Sequence, residues 1–178
     1  LVLAACSPAV ELASAAAPSS QRVIQNKGSD TLVNLALAWA EAYRQVNPDL
    51  LIAVTGGGSG TGIASLINRT VDIANVSRHI KEEEIDAAHA NGVEPTEFIV
   101  AIDALAIVVN LANPVSELTI DQLSAIFTGQ IDNWKELGGN DAPIILLSRE
   151  TNSGTHVYFL EEVVRQGDSG SKAIFAPQ

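Results

Sequence analysis

Residues 23–31 have the sequence VIQNKGSDT, in which a short, partly apolar segment leads into a Gly-Ser-Asp-Thr turn. Residues 23–27 predict a β-strand, and the turn offers several side chains that favour a helix N-cap. Residues 32–46 continue with apolar side chains at helical spacing and end at an Asn-Pro-Asp stop. The folded part of the chain is therefore expected to open with a strand, a turn and a helix.

Strand and helix patterns alternate along the rest of the chain. The further predicted strands are residues 50–55, 71–76, one or two buried strands within the apolar run 97–110, and 144–147. The further predicted helices are residues 63–68, 81–91, 119–128 with a capping box at the start, and 157–166. This order predicts an α/β fold with mostly parallel strand pairing.

Composition limits the class of protein. The 178 residues are 47% hydrophobic and 17% charged, which is enough apolar material for a core in one domain or two small lobes. The net charge of -11 argues against a broad nucleic-acid or anionic-membrane surface, so an anionic ligand would need local donors. A single Cys excludes an internal disulfide and a Cys-based zinc site.

The first 22 residues suggest export and tethering. Residues 3–6, Leu-Ala-Ala-Cys, are typical of a lipobox, in which Cys6 carries lipid after cleavage; an incidental Cys in a small apolar terminus is the alternative. The Ala/Ser/Pro-rich stretch that follows, residues 7–21, predicts a flexible linker. Lipid on Cys6 would anchor the protein to a membrane without inserting the chain.

Three loops combine glycine with hydroxyl side chains just before a predicted helix. They are residues 28–31 (GSDT), 58–62 (GSGTG) and 153–155 (SGT). Helix N-termini present unpaired N–H groups, glycine permits close approach, and Ser or Thr adds donors. Because the carboxyl ends of parallel strands meet at one edge, the loops together predict an anion site, although each alone is also ordinary capping.

Two arginines are candidate cations for such a site. Arg149 follows a predicted strand, and its guanidinium can pair with a phosphate-like oxyanion through two hydrogen bonds; pairing with neighbouring Glu150 is the alternative. Arg78 follows Ser77 at another strand end, with a simple helix-flanking charge as its alternative.

Asp30 is unusual for an anion site. Its carboxylate repels a fully ionised oxyanion but can accept a hydrogen bond from one that still carries a proton, as phosphate does near neutral pH. Asp30 could therefore separate phosphate from sulfate, or it could simply cap the first helix.

Several enzyme patterns are missing. The glycine-rich loop has no P-loop Lys, and Ile63 stands where the dinucleotide fingerprint needs Gly or Ala. His79, His89 and His156 lack metal-ligand spacing, and no nucleophile elbow surrounds Ser153. The sequence predicts no catalytic residue, metal or cofactor.

Taken together, the motifs resemble the phosphate-binding proteins of bacterial phosphate ABC transporters, the PstS family. The matching segments are residues 28–31, 55–62, 72–78, 127–134, and Arg149 followed by residues 153–155. The resemblance implies a periplasmic-binding-protein-like α/β fold whose two lobes close on one phosphate ion and deliver it to a membrane permease. It places the protein in the periplasm or on the extracytoplasmic face of the membrane, as a non-enzymatic receptor.

The resemblance also implies a set of phosphate contacts. They are Ser29, Asp30, Thr31, Ser59, Arg149, Ser153, Gly154 and Thr155, with Ser77 and Arg78 as further candidates. Some family members have a carboxylate where this chain has Arg78, and that carboxylate accepts the phosphate proton. Here the role would move to Asp30 or be lost.

The implied organisation is a signal remnant and linker over residues 1–22, a first lobe over 23–98, and an incomplete second lobe over 99–178. Family members continue past residue 178, so the chain looks truncated, and exposed apolar edges would favour self-association. The alternatives are a receptor for another oxyanion such as sulfate or molybdate, a phosphate-handling enzyme such as a phosphatase, and a truncated interaction module.

Overall fold

The computed structural model of the protein describes residues 22–177. Its first part is a three-stranded parallel sheet in the order β2-β1-β3. The strands are β1 (Arg22–Gly28), β2 (Leu50–Thr55) and β3 (Ile73–Asn75). Lys27 of β1 pairs with Thr55, and the next residue, Gly28, pairs with Asn75, so all three strands end at the same edge.

Five α-helices accompany the sheet in the described range. They are α1 (Asp30–Val46), α2 (Ser59–Ile67), α3 (Glu82–Ala90), α4 (Ile120–Phe127) and α5 (Gly154–Phe159). A 3-10 helix covers Trp134–Leu137, and a π-helical stretch, Leu160–Val164, continues α5. The predicted capping box at the start of α4 is present, with Thr119 and Gln122 exchanging hydrogen bonds.

The helices pack as two groups. In the N-terminal region, residues 22–92, Ile63 of α2 and Ala88 of α3 are buried. In the C-terminal region, residues 119–177, the buried apolar side chains are Leu123, Ile126, Phe159 and Val164. The Phe159 ring meets the Phe127 ring edge to face at 4.7 Å, which fixes α5 against α4.

The strands predicted at 97–110 and 144–147 are wrong for the structure described. Neither segment forms a strand in the described residues, although the Ile144 N–H donates to Asp132 O at 2.7 Å, and Ile102, Val108 and Leu147 are 96%, 89% and 86% exposed. The nearest pairing is a single antiparallel bridge between Asn133 and Pro143. A continuous apolar run is typical of a buried strand, but a strand also needs partners, and residues 22–177 supply none there.

Other element boundaries differ by a few residues. The strand predicted at 71–76 is only three residues long, and the helices predicted from residues 63 and 157 begin earlier, at Ser59 and Gly154. Both early starts lie in loops rich in Gly and Ser, where a helix N-terminus is hard to locate from sequence.

None of the helices between residues 22 and 177 has the length and apolar character of a membrane span. Cys6 and the linker lie outside the described residues.

Candidate anion-binding site

Ser29 begins the site at the end of β1. Gly28 lies so close to the Asn75 carbonyl, with φ of 150°, that any side chain at position 28 would collide with it. The close approach lets the Ser29 N–H donate to Asn75 O at 2.8 Å. Ser29 is the N-cap residue of α1 and only 3% exposed, and its hydroxyl donates to Ser77 Oγ at 3.1 Å.

Ser59 and Ser77 extend this contact. The Ser77 N–H donates to Ser59 Oγ at 3.1 Å, and the Ser59 and Ser77 hydroxyls lie 3.2 Å apart. Ser59, the first residue of α2, is completely buried. Ser29, Ser59 and Ser77 thus form a line of hydroxyls, called here the serine cluster, supplied by the chain segments that follow β1, β2 and β3.

Gly154 brings the third predicted loop to the serine cluster, although no strand precedes that loop. A side chain at position 154 would overlap both the Ser59 and the Ser77 hydroxyls. Ser153 is the N-cap residue of α5 and 3% exposed, while Thr155 is half-buried. The structure therefore gathers Ser29, Ser59, Ser77 and Gly154, with Ser153 adjoining them in the chain.

Asn152 holds this loop in place and was not predicted. The side-chain Nδ2 of Asn152 donates to Gly57 O at 3.0 Å and to Thr61 Oγ1 at 3.3 Å. The backbone carbonyl of Asn152 accepts the Gly60 N–H at 3.1 Å. The one sequence feature that could have indicated it is an amide side chain directly before the 153–155 motif.

Arg149 faces the N-terminal region at the rim of the site. Its guanidinium makes two hydrogen bonds with Glu150, at 2.8 and 3.0 Å, and its Nη2 lies 3.7 Å from Asp30 Oδ2. The hydrogen bond to Glu150 raises the pKa of Arg149, burial acts in the opposite direction, and the negative charges of Glu150 and Asp30 raise the pKa further. The structure therefore shows the pairing with Glu150, while the contact of Arg149 with an oxyanion stays a prediction.

Asp30 does not cap the first helix. It is the first residue of α1, after the N-cap Ser29, and its Oδ1 accepts the Gly57 N–H at 3.0 Å. Its carboxylate thereby links the start of α1 to the glycine-rich loop, defined here as residues 56–62. The following predicted contact, Thr31, is solvent-exposed in the first turn of α1.

Arg78 is engaged by a carboxylate. Its Nη1 and Nη2 donate to Glu84 at 2.8 and 2.6 Å, and the arginine side chain is only 8% exposed. The Glu84 hydrogen bond raises the pKa of Arg78, with burial acting in the opposite direction. Glu84 also accepts the Lys81 N–H, so Arg78 is tied to the start of α3. Its buried Nε has no hydrogen-bond partner in the described part of the chain.

One further polar pair was not predicted. Ser148 Oγ lies 3.1 Å from His156 Nδ1, and the His156 ring packs 4.5 Å from Phe175.

Between residues 22 and 177, His, Cys, Asp and Glu side chains form no cluster that could hold a metal ion. The chemistry assembled here is a set of neutral hydroxyl and amide donors with one guanidinium, which suits an oxyanion.

The fold and the site define a class of ligand-binding protein. A family model described as a PBP superfamily domain matches residues 14–178, and the chain belongs to that superfamily. The α/β fold predicted from the resemblance is confirmed.

Within this superfamily, the chain is similar to phosphate-binding proteins. It is 37% identical over 158 residues to the phosphate-binding protein PstS of Pseudomonas aeruginosa, covering 82% of this chain and 49% of that protein. The PstS of Bacillus subtilis is 40% identical over 135 residues, covering 75% and 43%. The resemblance to the PstS family is thus confirmed, and the chain spans about half the length of these curated relatives.

Solved structures agree with this assignment. One is described as a phosphate ABC transporter substrate-binding protein with bound phosphate from Clostridium perfringens; it has a TM-score of 0.71 and 39% identity, over 80% of this chain and 56% of that chain. An ABC-type phosphate transport receptor from Vibrio cholerae has a TM-score of 0.64 and 40% identity, over 78% and 53%.

Proposed function

We propose that this chain binds inorganic phosphate as the receptor component of a bacterial phosphate uptake system. The observation that carries the proposal is the serine cluster: three hydroxyls from separate segments, 3.1 to 3.2 Å apart, beside the Gly154 backbone. The similarity to phosphate-binding proteins supports the same ligand.

The chemistry of the site suits a small oxyanion in an acidic protein. Ser29 and Ser59 lie at the starts of α1 and α2, where helices carry N–H groups without intrahelical partners and a partial positive charge. Ser and Gly add donors without adding bulk, and Arg149 supplies a positive charge at the rim. We therefore assign the ligand contacts to Ser29, Ser59, Ser77, Gly154 and Arg149, with Asp30, Thr31, Arg78, Ser153 and Thr155 at the margin.

Binding is proposed to involve closure between two lobes, residues 23–98 and 99–178. Gly154 and Arg149 approach the serine cluster from the C-terminal region, whereas the three serines belong to the N-terminal region. An anion held by both sides would favour the closed arrangement by its differential affinity for that state.

Titration calorimetry with phosphate tests the function directly. We expect saturable binding to the full chain that excess sulfate does not abolish, and Ser29→Ala should weaken it by about 1 kcal/mol, as expected for losing one hydrogen bond. Ser19→Ala, in the predicted linker, is the matched control. Lack of any phosphate binding would contradict the proposal and favour an interaction module.

Asp30 is proposed to contribute to the choice between oxyanions. A carboxylate favours an anion that carries a proton, so Asp30→Asn should improve sulfate binding relative to phosphate binding. Equal competition by sulfate against the unmodified chain would instead favour the sulfate or molybdate receptor.

The wider assignments follow from the proposed family role. We propose an extracytoplasmic, non-catalytic receptor that passes phosphate to ABC-transporter permease subunits and is tethered by lipid on Cys6. The intact mass of the natural product tests the lipid. A phosphatase assay with divalent metals, in which we expect no turnover, tests the absence of catalysis.

Self-association is also proposed, through the exposed apolar segments. Phe98, Ile102 and Leu111 are 77%, 96% and 104% exposed, and large exposed apolar patches favour association. Sedimentation of the full chain across a concentration series should show oligomers, and a monomer at all concentrations would contradict this assignment.

A further inference from the structure

We propose that Asn152 is a positioning residue that holds the loop carrying Ser153 and Gly154 closed on the glycine-rich loop. The proposal deepens the proposed phosphate-binding function, on which it rests, by assigning its closure to a residue that is not itself a predicted ligand.

The contacts of Asn152 are concentrated on one short loop. Its Nδ2 donates to Gly57 O at 3.0 Å and Thr61 Oγ1 at 3.3 Å, and its carbonyl accepts the Gly60 N–H at 3.1 Å. The side-chain partners are 95 and 91 residues away in sequence, so these bonds connect the C-terminal to the N-terminal region. A single residue therefore engages both the turn and the first helical turn of the glycine-rich loop.

The glycine-rich loop is shaped to receive Asn152. A side chain at Gly58 would come within 2.8 Å of Asn152 O and 3.0 Å of its Cγ, closer than such atoms normally approach. Gly58 also has φ of 87°, which glycine adopts most readily. Ser59 follows Gly58 in the chain, so the residues that contact Asn152 are adjacent to the buried Ser59 hydroxyl, against which Gly154 packs.

Gly154 also packs against Ser59 and Ser77, but the two ion pairs between the regions have a different character. Lys81 Nζ lies 2.7 Å from Glu161 Oε1, with side chains 34% and 39% exposed, and Arg149 lies 3.7 Å from Asp30. Salt screens such exposed ion pairs, and a phosphate ion would compete for Arg149. The side-chain amide of Asn152 is neutral and donates to the Gly57 backbone carbonyl. We therefore expect this hydrogen bond to remain when an anion or salt weakens the two ion pairs.

Asn152→Ala tests this role, because it removes both Nδ2 hydrogen bonds and keeps the backbone bond from Gly60. The release rate of radiolabelled phosphate should rise about tenfold, and the association rate should stay within about twofold, as expected for losing hydrogen bonds made only on closure. Thr151→Ala is the matched control; its side chain is exposed and makes no hydrogen bond within residues 22–177. An unchanged release rate in Asn152→Ala would overturn the proposal, and so would an equal effect in the control.

Amide hydrogen exchange without phosphate separates this proposal from the proposed function. The Gly60 amide should exchange several-fold faster in Asn152→Ala than in the unmodified chain, whereas amides remote from the two loops should change much less. If the unmodified chain binds no phosphate, the proposed function fails, and faster Gly60 exchange still supports the Asn152 contact. Unchanged Gly60 exchange, or exchange that rises evenly over the whole chain, overturns it.

Discussion

Arg149 and Glu150, neighbours in the chain, form a two-point ion pair at the rim of the site, with N–O distances of 2.8 and 3.0 Å. The hydrogen bond from Arg149 lowers the pKa of the Glu150 carboxyl to about 2. Glu150 is therefore ionised throughout the neutral range and competes with any anion for the guanidinium. Because the Arg149 side chain is 42% exposed, it can exchange partners without unfolding its surroundings.

Replacing Arg149 should weaken phosphate binding most among the exposed residues of the site. Arg149→Ala should cost about 2 kcal/mol of binding free energy, as expected for losing one partner of a charged pair that the ligand desolvates. Titration calorimetry measures the loss. Arg44→Ala, on the exposed surface of α1, should have no effect, and equal affinities in the two variants would exclude Arg149 as a contact.

Replacing Glu150 should have the opposite effect. Glu150→Gln removes the competing charge, so phosphate affinity should rise about two- to fivefold, in line with the modest strength of exposed ion pairs. The gain should be the same at mildly acidic and neutral pH, because the Glu150 pKa of about 2 keeps the carboxylate charged at both. Weaker binding would mean that Glu150 orients Arg149 toward the ligand.

Position 154 should not tolerate a methyl group. In Gly154→Ala the new Cβ would overlap the Ser59 and Ser77 hydroxyls, so the C-terminal region would be forced away from the serine cluster. We expect a loss of stability of about 1–3 kcal/mol, typical of overpacking, together with weakened phosphate binding. Gly170→Ala, whose Cβ would meet only Asp168 Oδ1 at 3.3 Å, is the control in both denaturation and titration. Normal binding by Gly154→Ala would contradict the closed geometry.

The half-buried pair of Arg78 and Glu84 should make stability depend on acidic pH. Burial tends to raise the pKa of Glu84, but hydrogen bonds from Arg78 and the Lys81 N–H outweigh it and leave the pKa below the ordinary 4.5. The stabilisation is therefore complete above the ordinary pKa and is lost as pH falls through the lower folded value.

Denaturation across an acidic pH series tests this linkage. Glu84→Gln should lower the free energy of unfolding at neutral pH by about 1–2 kcal/mol, because the part-buried Arg78 charge loses its charged partner. The variant should also lose stability less steeply below the ordinary carboxyl pKa. Glu82→Gln, exposed in the same helix turn, is the control, and parallel pH profiles for the two variants would contradict the assignment.

Local sequence signals predicted several elements in both regions. The strand at Leu50–Thr55, the stop after Val46 and, in the C-terminal region, the capping box at Thr119 depend on periodicity and on neighbouring residues, and all are present. The strands expected at 97–110 and 144–147 failed because a strand requires a partner elsewhere in the chain. Hydrophobicity alone does not report whether that partner is there.

The same distinction applies to the site. Glycine and hydroxyl residues before helices identified Ser29, Ser59 and Gly154, which the structure brings together. The Arg78 partner and the role of Asn152 arise from contacts across 6 and more than 90 residues, respectively, which no local pattern encodes. Asp30 does not cap α1 but accepts a hydrogen bond from a loop 27 residues away, and its predicted contact with a ligand stays a prediction.

The serine cluster consists of uncharged groups, whose attraction for an anion would fade within a few ångströms, whereas the molecule as a whole carries a charge of -11. An anion approaching the proposed site would therefore meet repulsion at a distance and attraction only at close range. Added salt shortens the range of that repulsion, so the association rate of an anionic ligand should be higher at high ionic strength than at low ionic strength.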